Sequence, residues 1–156
     1  GELTFAPFRG LTLGGSFGHL NRKYSRLAVG LNGAAPGLGY ELDLTRLPKW
    51  SFGANATIVQ PVGDGAELTL RADYGYRSRV AFTDNNSAYL NQVNDLSASA
   101  RLSFLDDRFS VGVFGKNLLN RVTQGGNTPL PPSVGGGFFV PINEGRTVGM
   151  DINLKI

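Results

Sequence analysis

The residues able to do chemistry are few in this chain, and their spacing argues against catalysis. There is one His, His19, and no Cys. A nucleophile-base-acid relay would need His19 beside a nucleophile or carboxylate, and its sequence context supplies neither. No Asp, Glu and His cluster has metal-ligand spacing. Neither G-x-x-x-x-G-K-[ST] nor G-x-G-x-x-G occurs, so the 22 glycines do not form a phosphate loop. No cofactor site is expected, and an enzyme is the least favoured class. The charge of +3 is small and its basic residues are scattered, which disfavours nucleic acid as a partner. The sequons at Asn55 and Asn85 read as chance.

The charged side chains follow an order of a different kind. Glu67, Arg71, Asp73, Arg77, Arg101, Lys116, Asp151 and Lys155 fall on the polar phase of alternating segments. In 67–77, 95–104 and 147–156 every even-numbered residue is apolar or aromatic, and no odd-numbered one is. Alternation of period two puts the two sets on opposite faces of a β-strand, whereas a helix would scramble them. Segments 2–8, 11–20, 50–60 and 109–119 follow the same rule less strictly. About seven strands result, most near ten residues, a length that crosses a bilayer when tilted.

The connections sort by length. Arg9-Gly10, 61–65 and 105–108 are tight turns, while 21–49, 83–94 and 121–145 are long. Outer-membrane barrels have short periplasmic turns and long extracellular loops. That assignment sets Trp50, Tyr74 and Tyr76 toward the outer rim, and Phe8, Phe104 and Phe109 toward the inner one. The fold expected is all-β: an antiparallel up-and-down meander of about seven long strands, forming an open segment of a transmembrane β-barrel. An odd strand count and a start inside a strand, without a signal peptide, read as a truncated chain.

Three stretches carry a family resemblance. RLPKWSFGANATI resembles the start of a late strand in TonB-dependent outer-membrane receptors. LDDRFSVGVFGKNLLNR resembles their penultimate strand, and EGRTVGMDINLKI their closing strand. The likeness runs from about Leu44 to Ile156, and the chain ends in Ile156 where that family more often has an aromatic residue. On this basis 1–156 resembles the C-terminal part of such a receptor barrel, without its plug and earlier strands. The resemblance implies a barrel of roughly 22 strands around a plug. It implies import of a scarce nutrient (a siderophore-iron chelate, a corrinoid or a carbohydrate) across the bacterial outer membrane, energised by the TonB complex through an absent N-terminal segment.

Site expectations follow from both readings. The eight charged residues named above would line the lumen, docking the plug or pairing with one another. Arg22, Lys23, Arg26, Tyr40, Tyr89, Phe138 and Phe139 lie in the long loops, where aromatic stacking and positive charge could hold a metal-chelate or small-molecule substrate. Met150, Ile152, Leu154 and Ile156 would contact outer-membrane lipid and form the signal read by the barrel-assembly machinery. Two other classes stay open: another outer-membrane barrel, such as a porin, adhesin or autotransporter end, and a soluble all-β binding module whose apolar face packs on a second layer.

Overall fold

A computed structural model describes residues 1–22, 24, 42–105 and 107–155. Seven strands form one antiparallel sheet: β1 (Glu2–Phe8), β2 (Leu11–His19), β3 (Trp50–Pro61), β4 (Ala66–Arg77), β7 (Val93–Phe104), β8 (Phe109–Lys116) and β11 (Thr147–Leu154). They pair in chain order, so the sheet is a meander. Two small hairpins lie between them: β5 (Val80–Ala81) with β6 (Tyr89–Leu90), and β9 (Thr128–Pro129) with β10 (Phe138–Phe139). A 3-10 turn spans Pro132–Val134. Among the described residues no helix is long and apolar enough to cross a membrane.

The register turns the sequence alternation into two continuous faces. One row runs Leu13, Ala56, Ala72, Ala98, Gly115, Val148 across six strands. The next apolar row runs Leu11, Ile58, Leu70, Ala100, Val113, Met150. Between rows of this kind, Thr57, Arg71, Ser99, Phe114 and Gly149 form a row on the opposite face. A slip of one residue in any pair would exchange the faces, so the alternation itself specifies the register.

Nothing described covers the apolar face. Leu3, Phe5, Phe17, Val113, Val148, Met150, Ile152 and Leu154 are all exposed. No large side chain among the described residues is fully buried. An ordinary sheet hides its apolar face beneath helices or a second sheet. Here the buried apolar residues are instead Val80, Ala81 and Ala88, in the β4–β7 connection.

Element limits depart from the alternation at two places. The 109–119 segment stops being strand after Lys116, because Asn117 and Asn120 take left-handed φ of 47° and 50°. Asn tolerates that region better than most residues. The connection expected at 83–94 is 78–92, since β7 starts at Val93. It also carries the β5–β6 hairpin, too short to leave a periodic trace. In β1 the register shifts between Phe5 and Phe8, a bulge that accommodates Pro7 on an edge strand.

Candidate functional site

The polar face is built from charged residues set beside glycines. Arg71 and Asp73, two apart on β4, share that face and form a two-point pair at 2.7 and 2.6 Å. Arg101 on β7 reaches across β8 to Asp151 on β11, 3.3 Å away. The residue between them in register is Gly112, where an added Cβ would stand 2.6 Å from the Asp151 carboxylate. Absence of a side chain at Gly112 thus lets a charge pair span three strands. Asn55 lies over Gly14 and the Phe114 ring over Gly149 in the same manner. Covering a sheet glycine with a cross-strand aromatic restores packing the glycine cannot provide.

At the tight-turn rim, Lys155 pairs with Asp107 in the β7–β8 turn. The hydrogen bond from Lys155, then one from Ser103, holds the Asp107 carboxyl below the ordinary carboxylate range. Glu67, Arg71, Asp73, Arg77, Arg101, Lys116 and Asp151 all occupy register positions on the polar face. Lys155 directly follows β11.

The apolar face carries aromatics at both of its ends. Phe17, Trp50, Phe52 and Tyr76 are linked by ring contacts of 5.3 to 6.4 Å at the long-loop end. His19 stacks on Trp50 at 3.9 Å, which gives the single imidazole a packing role. Phe104 and Phe109 stack at 6.1 Å at the tight-turn end. Met150, Ile152 and Leu154 are on this face and exposed. Ile156 is outside the described residues.

The long connections meet at one rim, and 78–92 is their hub. The Asn86 side chain pairs with the backbone of Asp43, accepting from its N–H at 2.6 Å and donating to its carbonyl at 2.9 Å. Thr45 bridges to Ala81, and the Arg46 N–H donates to the Ala81 carbonyl at 2.8 Å. On the other side Asn127 donates to the Tyr89 carbonyl at 3.1 Å, and the Asn91 N–H donates to Gln124 at 3.3 Å. Residues 42–46, 78–92 and 124–127 are therefore knit by backbone and amide groups.

The expected ligand residues divide among different surroundings at this rim. Arg22 has a side chain only 7% exposed, with Asp43 at 3.5 Å. The Tyr89 ring lies under the Arg79 guanidinium at 4.6 Å, and its hydroxyl donates to Asn86 at 3.1 Å. Phe138 and Phe139 are exposed on β10. Lys23, Arg26 and Tyr40 are outside the described residues. The structure does not gather Arg22, Tyr89, Phe138 and Phe139 into a single described pocket.

A polar cleft elsewhere at the rim was not anticipated from the sequence. It has a volume of about 520 Å³ and lies where 142–145 overhangs the upper polar face. Asp95, Lys116 and Glu144 supply its charges, and Ser97, Asn117 and Thr147 its neutral polar groups. The paired asparagines in the Lys116–Arg121 tract were the available signal. Asn117 donates to the carbonyls of Arg121 and Glu144, and Asn120 accepts from the Arg146 N–H, which clamps the loop base over the sheet. Among the described residues no group of three or more His, Cys, Asp or Glu could hold a metal ion. Comparison with protein-family models, with curated proteins and with solved structures finds no match for the chain.

Proposed function

We propose that this chain is part of an outer-membrane transport receptor, a segment of a transmembrane β-barrel that imports a scarce nutrient with energy delivered through TonB. The observation that carries the membrane reading is the apolar face, continuous over seven strands and uncovered by any described layer. In lipid that face needs no protein partner, and the polar face becomes the wall of a hydrated interior. The sheet's two open edges, on β1 and β11, are what further strands of a closed barrel would pair.

Dimensions support the same reading. β3, β4 and β7 have 12 residues each. Along β4, the span from the Phe104 row to the Tyr76 row is roughly 33 Å at ~3.3 Å per residue. Tilted by ~40°, it rises about 25 Å, the height of the apolar band on such barrels. Aromatics then fall at both headgroup levels. In this reading the lipid partners contact the apolar face, a plug and the remaining strands complete the polar side, and the β11 alternation serves the assembly machinery. The step from barrel to TonB-driven receptor rests on the resemblance of the 46–58, 105–121 and 144–156 stretches.

Trp50 is the chain's one Trp, so its fluorescence reports a single depth. In the full-length protein with every other Trp replaced by Phe, reconstituted with brominated phospholipids, bromines near the headgroup should quench it more than bromines at the chain ends. Emission indifferent to lipid bromination, from protein that remains in the aqueous phase, would overturn the membrane reading.

A further inference from the structure

We infer that the cleft beneath 142–145 is a binding site for a small zwitterion with amines in excess of carboxylates, of the basic amino-acid class. This deepens the transport reading, on which it rests for the cleft to face a hydrated interior. Its volume of about 520 Å³ falls within the range of small-molecule sites, ~300–1,000 Å³.

The charges in the cleft decide the ligand class. Elsewhere on the polar side three opposite-charge pairs join directly, Arg71 to Asp73, Arg101 to Asp151 and Lys155 to Asp107, while Glu67 and Arg77 stand apart from one another at opposite ends of β4. Asp95, Lys116 and Glu144 have no such ion pair among the described residues, although all three line one cleft. Lys116 and Thr147 are register partners, Ser97 lies one residue beyond the last β7–β8 pair, and Asp95 is two residues further along β7 on the same face as Ser97. Glu144 comes from the overhanging loop. The cleft thus offers two carboxylate acceptors and one ammonium donor. A ligand of complementary pattern carries two ammonium groups and one carboxylate. Ser97 and Thr147 add neutral donors and acceptors for the remaining bonds, while Asn117 is spent on the clamp.

The walls are fixed in advance. Asn143 is tied to Thr123 through a backbone bond of 2.9 Å and a side-chain bond of 3.1 Å. Asn117 holds the Glu144 carbonyl at 3.2 Å. Binding therefore needs little ordering of the loop, which lowers its entropic cost.

L-Lysine and cadaverine form the decisive pair of probes, because cadaverine is lysine without its carboxylate. Calorimetric titration of the full-length protein in liposomes should show lysine binding at least tenfold more tightly than cadaverine. Lys116→Gln should erase that preference while leaving cadaverine binding in place. Asp95→Asn combined with Glu144→Gln should remove saturable binding of both. Equal affinities in the unaltered protein, no saturable binding of lysine, or indifference to these substitutions would each overturn the site. Trp50 quenching in the single-Trp protein, in liposomes of the same composition, reads membrane insertion independently, so a failed site leaves a distinct signature from a failed barrel.

Discussion

Across the sheet, Leu3, Phe17, Val113 and Met150 stay open on one face, while at the loop rim Val80 and Ala81 are 2% and 0% exposed. The sheet has long, regular ladders and almost no buried side chains. The rim has two-residue strands and a small buried centre, closed by amide and backbone bonds between separate connections. These regions ask different things of their surroundings. Burial at the rim is supplied by the chain itself. The apolar face of the sheet must obtain its burial from outside the described residues, and hydrocarbon supplies it in the proposed setting. The same contrast separates two uses of polar groups: strand charges pair across open wall, whereas rim amides replace missing strand hydrogen bonds.

The most severe way to break this contrast is to exchange the faces at one step of β4. In the proposed membrane setting Leu70→Arg puts a charge among lipid-facing residues and should cost roughly 2–4 kcal/mol near the midplane. Arg71→Leu loses only a solvent-exposed ion pair with Asp73 and should be much the milder change. Urea unfolding of the reconstituted protein measures both. A larger loss for Arg71→Leu would mean that the faces are assigned the wrong way round.

A smaller and local effect belongs to the rim. Asn86→Ala removes the pairing with Asp43 and places Ala at a φ of 55°. The unpaired groups should cost about 1–3 kcal/mol. Hydrogen exchange at the Asp43 and Arg46 amides should accelerate tenfold or more, since about 1.4 kcal/mol is a factor of ten. Exchange in β4 and β7 should stay unchanged. Acceleration spreading through those strands would show that sheet and rim are one cooperative unit.

The smallest effect is electrostatic. Asp107 has its carboxyl pKa lowered, chiefly by Lys155. Its contribution to stability is present above the ordinary Asp pKa and is lost as pH falls through the lowered folded value. Lys155→Gln should therefore flatten the acid limb of a stability-versus-pH curve and leave the neutral limb slightly lower. An acid limb identical in both proteins would remove Asp107 from the account.

Seven long strands and their two faces were legible in the sequence because side-chain direction in a strand repeats every two residues. Leu68 to Tyr76 and Glu67 to Arg77 carry that information with no knowledge of neighbours. The lumen candidates shared the same legibility, being simply the polar phase. Other features depended on distance in space. Gly112 matters because Arg101 and Asp151 lie on either side of it, 11 and 39 residues away in the chain. Asn86 meets Asp43, and Asp95 and Lys116 share a cleft with Glu144, through loop packing that no local period encodes. The chain alone determines periodic direction, since that is a property of the backbone. Tertiary structure decides which amides and charges converge, since that depends on strand register and on how separate loops fill the same space.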